Sequence, residues 1–190
     1  DGYFIDKASP EALDEVFWKV HLGKKYIHKK SIVISEIHSE LLDEYENYIQ
    51  LILLKNTAVK TGRYLSKNNN NILRIPELLY KFPNAKVIIP FRSPLDHALS
   101  LLNQHQHFSS IHKESSFSLS YMNWLGHHEF GLNQKPFHFE DEELIQRLNT
   151  YSKNDINYWL LIWLNYYQYV LKYFTYTCIL VSYESFCKNP

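Results

Sequence analysis

Polar and apolar positions along this chain repeat with two periods, and the changes of period divide it into alternating helices and strands. Ser9-Pro10-Glu11 opens a helix that carries Leu13, Val16, Phe17 and Val20 on one face and stops near Gly23. A longer helix follows from about Ser39 to Lys60, with Leu41, Leu42, Tyr45, Tyr48, Ile49 and Ile52 at helical spacing and Gly62 as its stop. Short apolar runs at about 64–67 and 86–91 read as strands buried between helices. The stretch from Asn154 to Phe174, rich in Tyr, Trp and Leu, reads as a helix packed on the sheet, and about 177–183 as the third strand. Strands alternating with helices predict an α/β fold with a parallel sheet. Asn68 to Asn71 reads as a loop.

The junction after the 86–91 strand is the best specified. In Arg92-Ser93-Pro94-Leu95-Asp96-His97-Ala98-Leu99-Ser100, Ser93 suits an N-cap, Pro94 the first helical position, and Asp96 completes a capping box. Ser100 lies about two helical turns past the cap and returns to the same face. Arg92 and Ser100 can then grip one anion, the guanidinium through paired hydrogen bonds and the hydroxyl through one.

The segment from Gln104 to Phe139 breaks the pattern. It holds His105, His107, His112, His127, His128 and His138 with little periodicity, and reads as an irregular insertion covering a binding site. His105 and His107 do not share a face of a helix or strand, and no His-Glu-x-x-His occurs, so the histidines predict no metal site.

Composition narrows the partners. Lysine plus arginine equal aspartate plus glutamate at 20 each, so no global basic field argues for nucleic acid or a membrane surface, and an anion site must be local. The chain of 190 residues suits one domain, and it contains no apolar run of the roughly 18 residues that would span a membrane. Its two cysteines, Cys178 and Cys187, are too few for a disulfide framework and read as core residues.

Two segments resemble the sulfotransferases that use 3′-phosphoadenosine 5′-phosphosulfate (PAPS), in particular the group that includes bacterial and tyrosylprotein-type enzymes. The first, about 63–108, has the layout lysine (Lys67), turn, helix, Phe82-Pro83-Asn84-Ala85, apolar strand, Arg92-Ser93-Pro94, helix, Ser100. The second, about 155–190, ends in the strand Cys178-Ile179-Leu180-Val181-Ser182 followed by Tyr183-Glu184. The resemblance implies a single three-layer, P-loop-like domain with a central parallel sheet flanked by helices, spanning 1–190 and cut at both ends, with 104–139 as a lid over the acceptor. It implies that Arg92 and Ser100 hold the 3′-phosphate and that Lys67 contacts the phosphosulfate and stabilises charge on the leaving oxygen. The activity so implied is sulfuryl transfer from PAPS to a hydroxyl or amine of a small-molecule, carbohydrate or peptide acceptor, in the cytoplasm.

Two features depart from the family pattern. The cytosolic branch places a histidine two residues after the lysine, where this chain has Asn69, so the general base is left among His105, His107 and Glu129. No Gly-rich or Ser/Thr-rich phosphosulfate loop lies between Asp1 and Lys60, and no Gly-x-x-x-x-Gly-Lys-Ser/Thr occurs anywhere, which argues against a P-loop kinase. The expectation is that such a loop precedes Asp1. The alternative is a non-catalytic module of the same architecture that binds a nucleotide or a protein.

Overall fold

A computed structural model describes residues 13–55, 62–174 and 176–189. Eight helices are formed among them: α1 (Asp14–Leu22), α2 (Ser39–Lys55), α3 (Ile75–Lys81), α4 (Pro94–Glu114), α5 (Ser116–Leu125), α6 (Glu142–Leu148), α7 (Ile156–Tyr173) and α8 (Tyr183–Lys188). The strands are β1 (Ile32–Val33), β2 (Ile88–Phe91), β3 (Phe137–His138) and β4 (Ile179–Ser182).

Side-chain caps fix four of the eight helix starts. Ser115, Asp141, Asp155 and Ser182 each accept a hydrogen bond from a backbone N–H of the first turn of α5, α6, α7 and α8. Gly126 closes α5 with φ +80°, a left-handed conformation that suits glycine. Ser93 departs from this rule: its side chain makes no cap bond to α4, so the predicted capping box with Asp96 does not form.

The predicted helices and strands are found with altered edges. α2 begins at Ser39 as expected and ends at Lys55, and the predicted extension toward Lys60 falls outside the described residues, as does the predicted start of the first helix at Ser9. α1 buries a different face from the one expected. Val20 and Leu13 are exposed, and Asp14, Glu15, Trp18 and Leu22 turn inward. Trp18 and Leu22 on that face join the main core, and the buried Glu15 carboxylate beside them is paired with Arg74.

The mixed helix-and-strand class stands, and both strand pairs are parallel. β1 pairs with β3 and β2 with β4, giving two separate two-stranded sheets, and a single central sheet is not seen among the described residues. The run at 64–67 forms no strand among the described residues, and Tyr64 and Ser66 bond to Asp14 of α1 instead. The Gln104–Phe139 segment is mostly regular: α4 runs through to Glu114, α5 follows after Ser115, and the main irregular stretch is residues 126–136. His105 and His112 are buried on the inner side of α4, which explains why polar residues hid a helix there.

The main core gathers Trp18, Leu42, Tyr45, Ile72, Ile89 and Val170 from α1, α2, the 3-10 turn Asn69–Leu73, β2 and α7. A second cluster of Ala98, Leu148, Tyr158, Trp159 and Leu161 joins α4 to α6 and α7. Cys178 is buried as expected, whereas Cys187 is exposed on the short α8, and both thiols are free. No helix among the described residues is long and apolar enough to cross a membrane.

Candidate functional site

The two segments that resemble sulfotransferases meet through β2 and β4. Their register sets Phe91 opposite Ser182, so Arg92-Ser93 and Tyr183-Glu184 leave the carboxyl ends of neighbouring parallel strands side by side. In open parallel sheets ligands bind at such ends. The Arg92 guanidinium lies over the Tyr183 ring at 4.6 Å, and its Nε is buried without a hydrogen-bond partner. The Ser93 N–H donates to Glu184 Oε1 at 2.8 Å, which accounts for the missing Ser93 cap. That bond, with help from Glu184's own N–H, Ser182 and Arg92, holds the Glu184 carboxyl below the usual range against the opposing effect of burial. Ser100 is half-buried two turns along α4.

The Lys67 segment is pinned by alternation. Tyr64 and Ser66 donate their hydroxyls to the Asp14 carboxylate, and Asn68 Nδ2 donates to Glu15 Oε2 at 2.8 Å. The intervening residues Leu65 and Lys67 are exposed. The four asparagines that read as a plain loop each make a specific bond. Asn68 Oδ1 accepts from Asn70 N at 2.9 Å, Asn69 Nδ2 donates to Glu129 at 3.1 Å, Asn70 Nδ2 reaches Gly126 O at 3.5 Å, and Asn71 Oδ1 accepts from Arg74 at 3.4 Å. The turn therefore fixes Lys67 from behind while leaving its amine in solvent.

A cavity of 290 Å³ lies between this turn, β2 and the helices α4 and α7. Ile32, Pro90 and Phe137 contribute one strand residue from each of β1, β2 and β3. α7 contributes Trp159, Trp163, Asn165 and Tyr167, α4 contributes His97 and Leu101, and the 3-10 turn contributes Asn69 and Asn70. Tyr167 donates its hydroxyl to Pro90 O at 2.8 Å and so ties α7 to β2. His97 Nδ1 and Trp163 Nε1 are buried without hydrogen-bond partners. Burial, reinforced by the Arg92 charge and only partly offset by Glu184, lowers the His97 pKa and keeps the imidazole neutral.

No family model, curated protein or solved structure matches this chain. The site is therefore read from its own geometry. Of the predicted residues, Arg92 stands at the carboxyl end of a parallel strand and Ser100 on α4, and neither lines the cavity. Lys67 is two residues from Asn69 but does not line the cavity. Among the base candidates, Glu129 lines the cavity, His107 is exposed, and His105 is buried against Trp159 with ring centroids 5.3 Å apart. Burial pushes the Glu129 carboxyl up, and the bonds from His127 and Asn69 more than reverse that, so it stays ionised. Sequence reading missed His97, Trp159 and Trp163 as lining residues. His97 carried a usable signal, since it lies one turn into the helix that Arg92 introduces.

Proposed function

We propose that this chain is a sulfotransferase-type domain that binds PAPS and moves its sulfuryl group to a hydroxyl or amine acceptor. The observation that carries the reading is Arg92, half-buried at the carboxyl end of β2, stacked on Tyr183, and with its Nε unpartnered. A guanidinium so placed matches a phosphate, which takes paired charge-assisted hydrogen bonds. The proposed fold relationship is the three-layer, P-loop-like one, with the β2–β4 pair as part of its central sheet.

PAPS, when bound, supplies a sulfuryl group whose bond to the phosphate oxygen breaks as the acceptor attacks. Arg92 and Ser100 hold the 3′-phosphate and so fix the donor's position away from the reacting sulfur. Tyr183 and Glu184 orient Arg92 and the start of α4, Tyr183 through ring stacking and Glu184 through the Ser93 N–H. Lys67 places a positive charge at the end of a segment made rigid by Asp14 and Glu15, where it stabilises negative charge growing on the leaving oxygen. The acceptor's proton needs a neutral imidazole or an ionised carboxylate, and His97 and Glu129 present these on the cavity lining.

A second reading, a non-catalytic nucleotide-binding module, is favoured by one observation: Lys67, Arg92 and Ser100 all lie outside the cavity lining. Calorimetric titration with adenosine 3′,5′-bisphosphate and adenosine 5′-monophosphate tests the site common to both. The bisphosphate is expected to bind at least about 10-fold more tightly, since hydrogen bonds to charged groups contribute about 1.5–3 kcal/mol, and Arg92→Ala is expected to erase the preference. Equal affinity for the two nucleotides in the folded protein overturns both readings. Bisphosphate binding without transfer of the sulfuryl group from PAPS to a hydroxyl or amine acceptor selects the second.

A further inference from the structure

Within the irregular stretch 126–136, a turn at 131–134, closed by Gln134 N donating to Gly131 O at 3.1 Å, seats on one side chain of α4. That side chain is His112, buried in the last turn of the helix, whose Nδ1 accepts the Leu132 backbone N–H at 3.2 Å. A backbone N–H only donates, so Nδ1 carries no proton, and the neutral ring holds its proton on Nε2. Nε2 lies 3.0 Å from Met122 Sδ of α5, a weak acceptor to which it donates. Gly131 closes on the same ring. A Cβ there would stand 2.3 Å from His112 Nδ1 and Cε1, and its φ of +77° also calls for glycine.

A line of rings carries this contact to the cavity. His112 packs against Phe108 with centroids 6.1 Å apart, Phe108 stacks on Phe130 at 6.1 Å with 9° between planes, and Phe130 meets Trp159 at 6.2 Å. Phe130 and Trp159 line the cavity, and Phe130 directly precedes Gly131, so the turn that His112 holds continues into the cavity wall.

A second proton on the ring does not fit this arrangement. It would set Nδ1–H against the Leu132 N–H, two donors with no acceptor between them, and would bury a charge that no opposite charge faces. On α4, Lys113 and Glu114 follow His112 and are exposed, and α5 holds no charged residue and one titratable side chain, Tyr121. On the 126–136 stretch His127 bonds Glu129, His128 Nδ1 donates to Asn133 O, and Lys135 donates to His28 O and Lys29 O. Burial is what lowers the His112 pKa, with no contribution from any of these groups. The seated turn therefore binds a proton less readily than the released one; it is favoured above the ordinary histidine value of about 6.5 and lost as pH falls below it.

We propose that His112 is a pH-sensitive latch: neutral, it holds the 131–134 turn against α4 and α5, and protonated, it releases that turn and with it the Phe130 wall of the cavity. The device acts on the cavity whatever its guest, and does not rest on the sulfotransferase reading.

Backbone amide exchange of the whole chain, read by NMR and corrected for the intrinsic rate at each pH, tests the latch. Between about pH 7.5 and about pH 5.5 the Leu132 amide is expected to lose about 10-fold in protection, while the amides of Ile89 and Val170 in the main core keep theirs. His112→Asn keeps an acceptor near the Nδ1 position and does not titrate, so it is expected to hold Leu132 protection level across the range. His112→Phe keeps a ring without the acceptor, and is expected to leave Leu132 unprotected at both ends of it. Long-range nitrogen–proton couplings of the wild-type His112 ring at about pH 7.5 are expected to show the Nε2–H tautomer. Circular dichroism verifies that each variant is folded, and should His112→Asn fail to fold, the tautomer and the wild-type exchange decide. An Nδ1–H tautomer, Leu132 protection unchanged down to about pH 5.5, a loss shared equally by Ile89 and Val170, or the same loss in folded His112→Asn overturns the proposal.

Discussion

Arg74 and Arg92 sit in similar sequence settings, just ahead of a proline-containing first turn, yet the structure treats them in opposite ways. Arg74 is 1 % exposed and fully engaged: it pairs with Glu15 at 2.9 Å, contacts Asn71, and lies over the rings of Trp18 and Tyr26. Around it Tyr26 donates its hydroxyl to Glu15, and Tyr64 and Ser66 answer Asp14. Trp18 Nε1 is the unpartnered atom in that group. Arg92 instead is half-buried, with a buried Nε that bonds to nothing, and the cavity-lining His97 and Trp163 each carry another unpartnered nitrogen. A buried polar group without a partner costs about 1–3 kcal/mol, and two such nitrogens belong to residues on the cavity lining while Arg92 lies outside it. The Arg74 region is bonded throughout save for Trp18 Nε1, and the Arg92 region is the one to which the proposed function assigns the ligand.

The sharpest way to break this contrast is Glu15→Ala. It strands the Arg74 guanidinium in the interior, and a loss of about 3–5 kcal/mol in urea-induced unfolding is expected. The double substitution Glu15→Leu with Arg74→Met is expected to recover most of that loss, since it removes both charges together.

Acidification comes next in size. Burial lowers the pKa of His97, His105, His112 and His128, with the Arg92 charge contributing at His97 and Lys153 at His105. Each then binds a proton more readily unfolded than folded, so stability rises with pH across the window below the ordinary histidine value of about 6.5 and is lost as pH falls through it. The melting temperature is expected to drop steadily below that pH, with a shallower slope in His105→Asn. A flat profile would mean that these histidines exchange protons freely while folded.

Tyr167→Phe is a smaller change. Losing the bond to Pro90 O is expected to cost about 1 kcal/mol, read as a shift in the urea midpoint at unchanged slope.

These residues also mark what the sequence made legible. Helix starts at Ser39 and Pro94, the apolar runs that became β2 and β4, and the aromatic helix α7 were readable because each carries a strong local pattern. Arg92 was readable for the same reason, at a strand end before Pro94. The run at 64–67 looked like a strand, but Tyr64, Ser66 and Asn68 hydrogen-bond to α1 carboxylates, an interaction between distant segments that alternation cannot reveal. β1 and β3 pair over two residues each, too few for any period to register. α4 was read too short because His105 and His112, polar in type, occupy buried helix positions. The cavity could not be read at all, since Asn69, His97, Phe137 and Trp163 come together only through tertiary packing.

The contrast between the two arginines is tested most directly by urea denaturation of Arg74→Met and Arg92→Met side by side. Arg74→Met is expected to lose about 3–5 kcal/mol and Arg92→Met less than about 1 kcal/mol, because only the first leaves a buried opposite charge unpaired. Equal losses in the two variants would contradict the division into a region that holds the fold and a region kept open for a ligand.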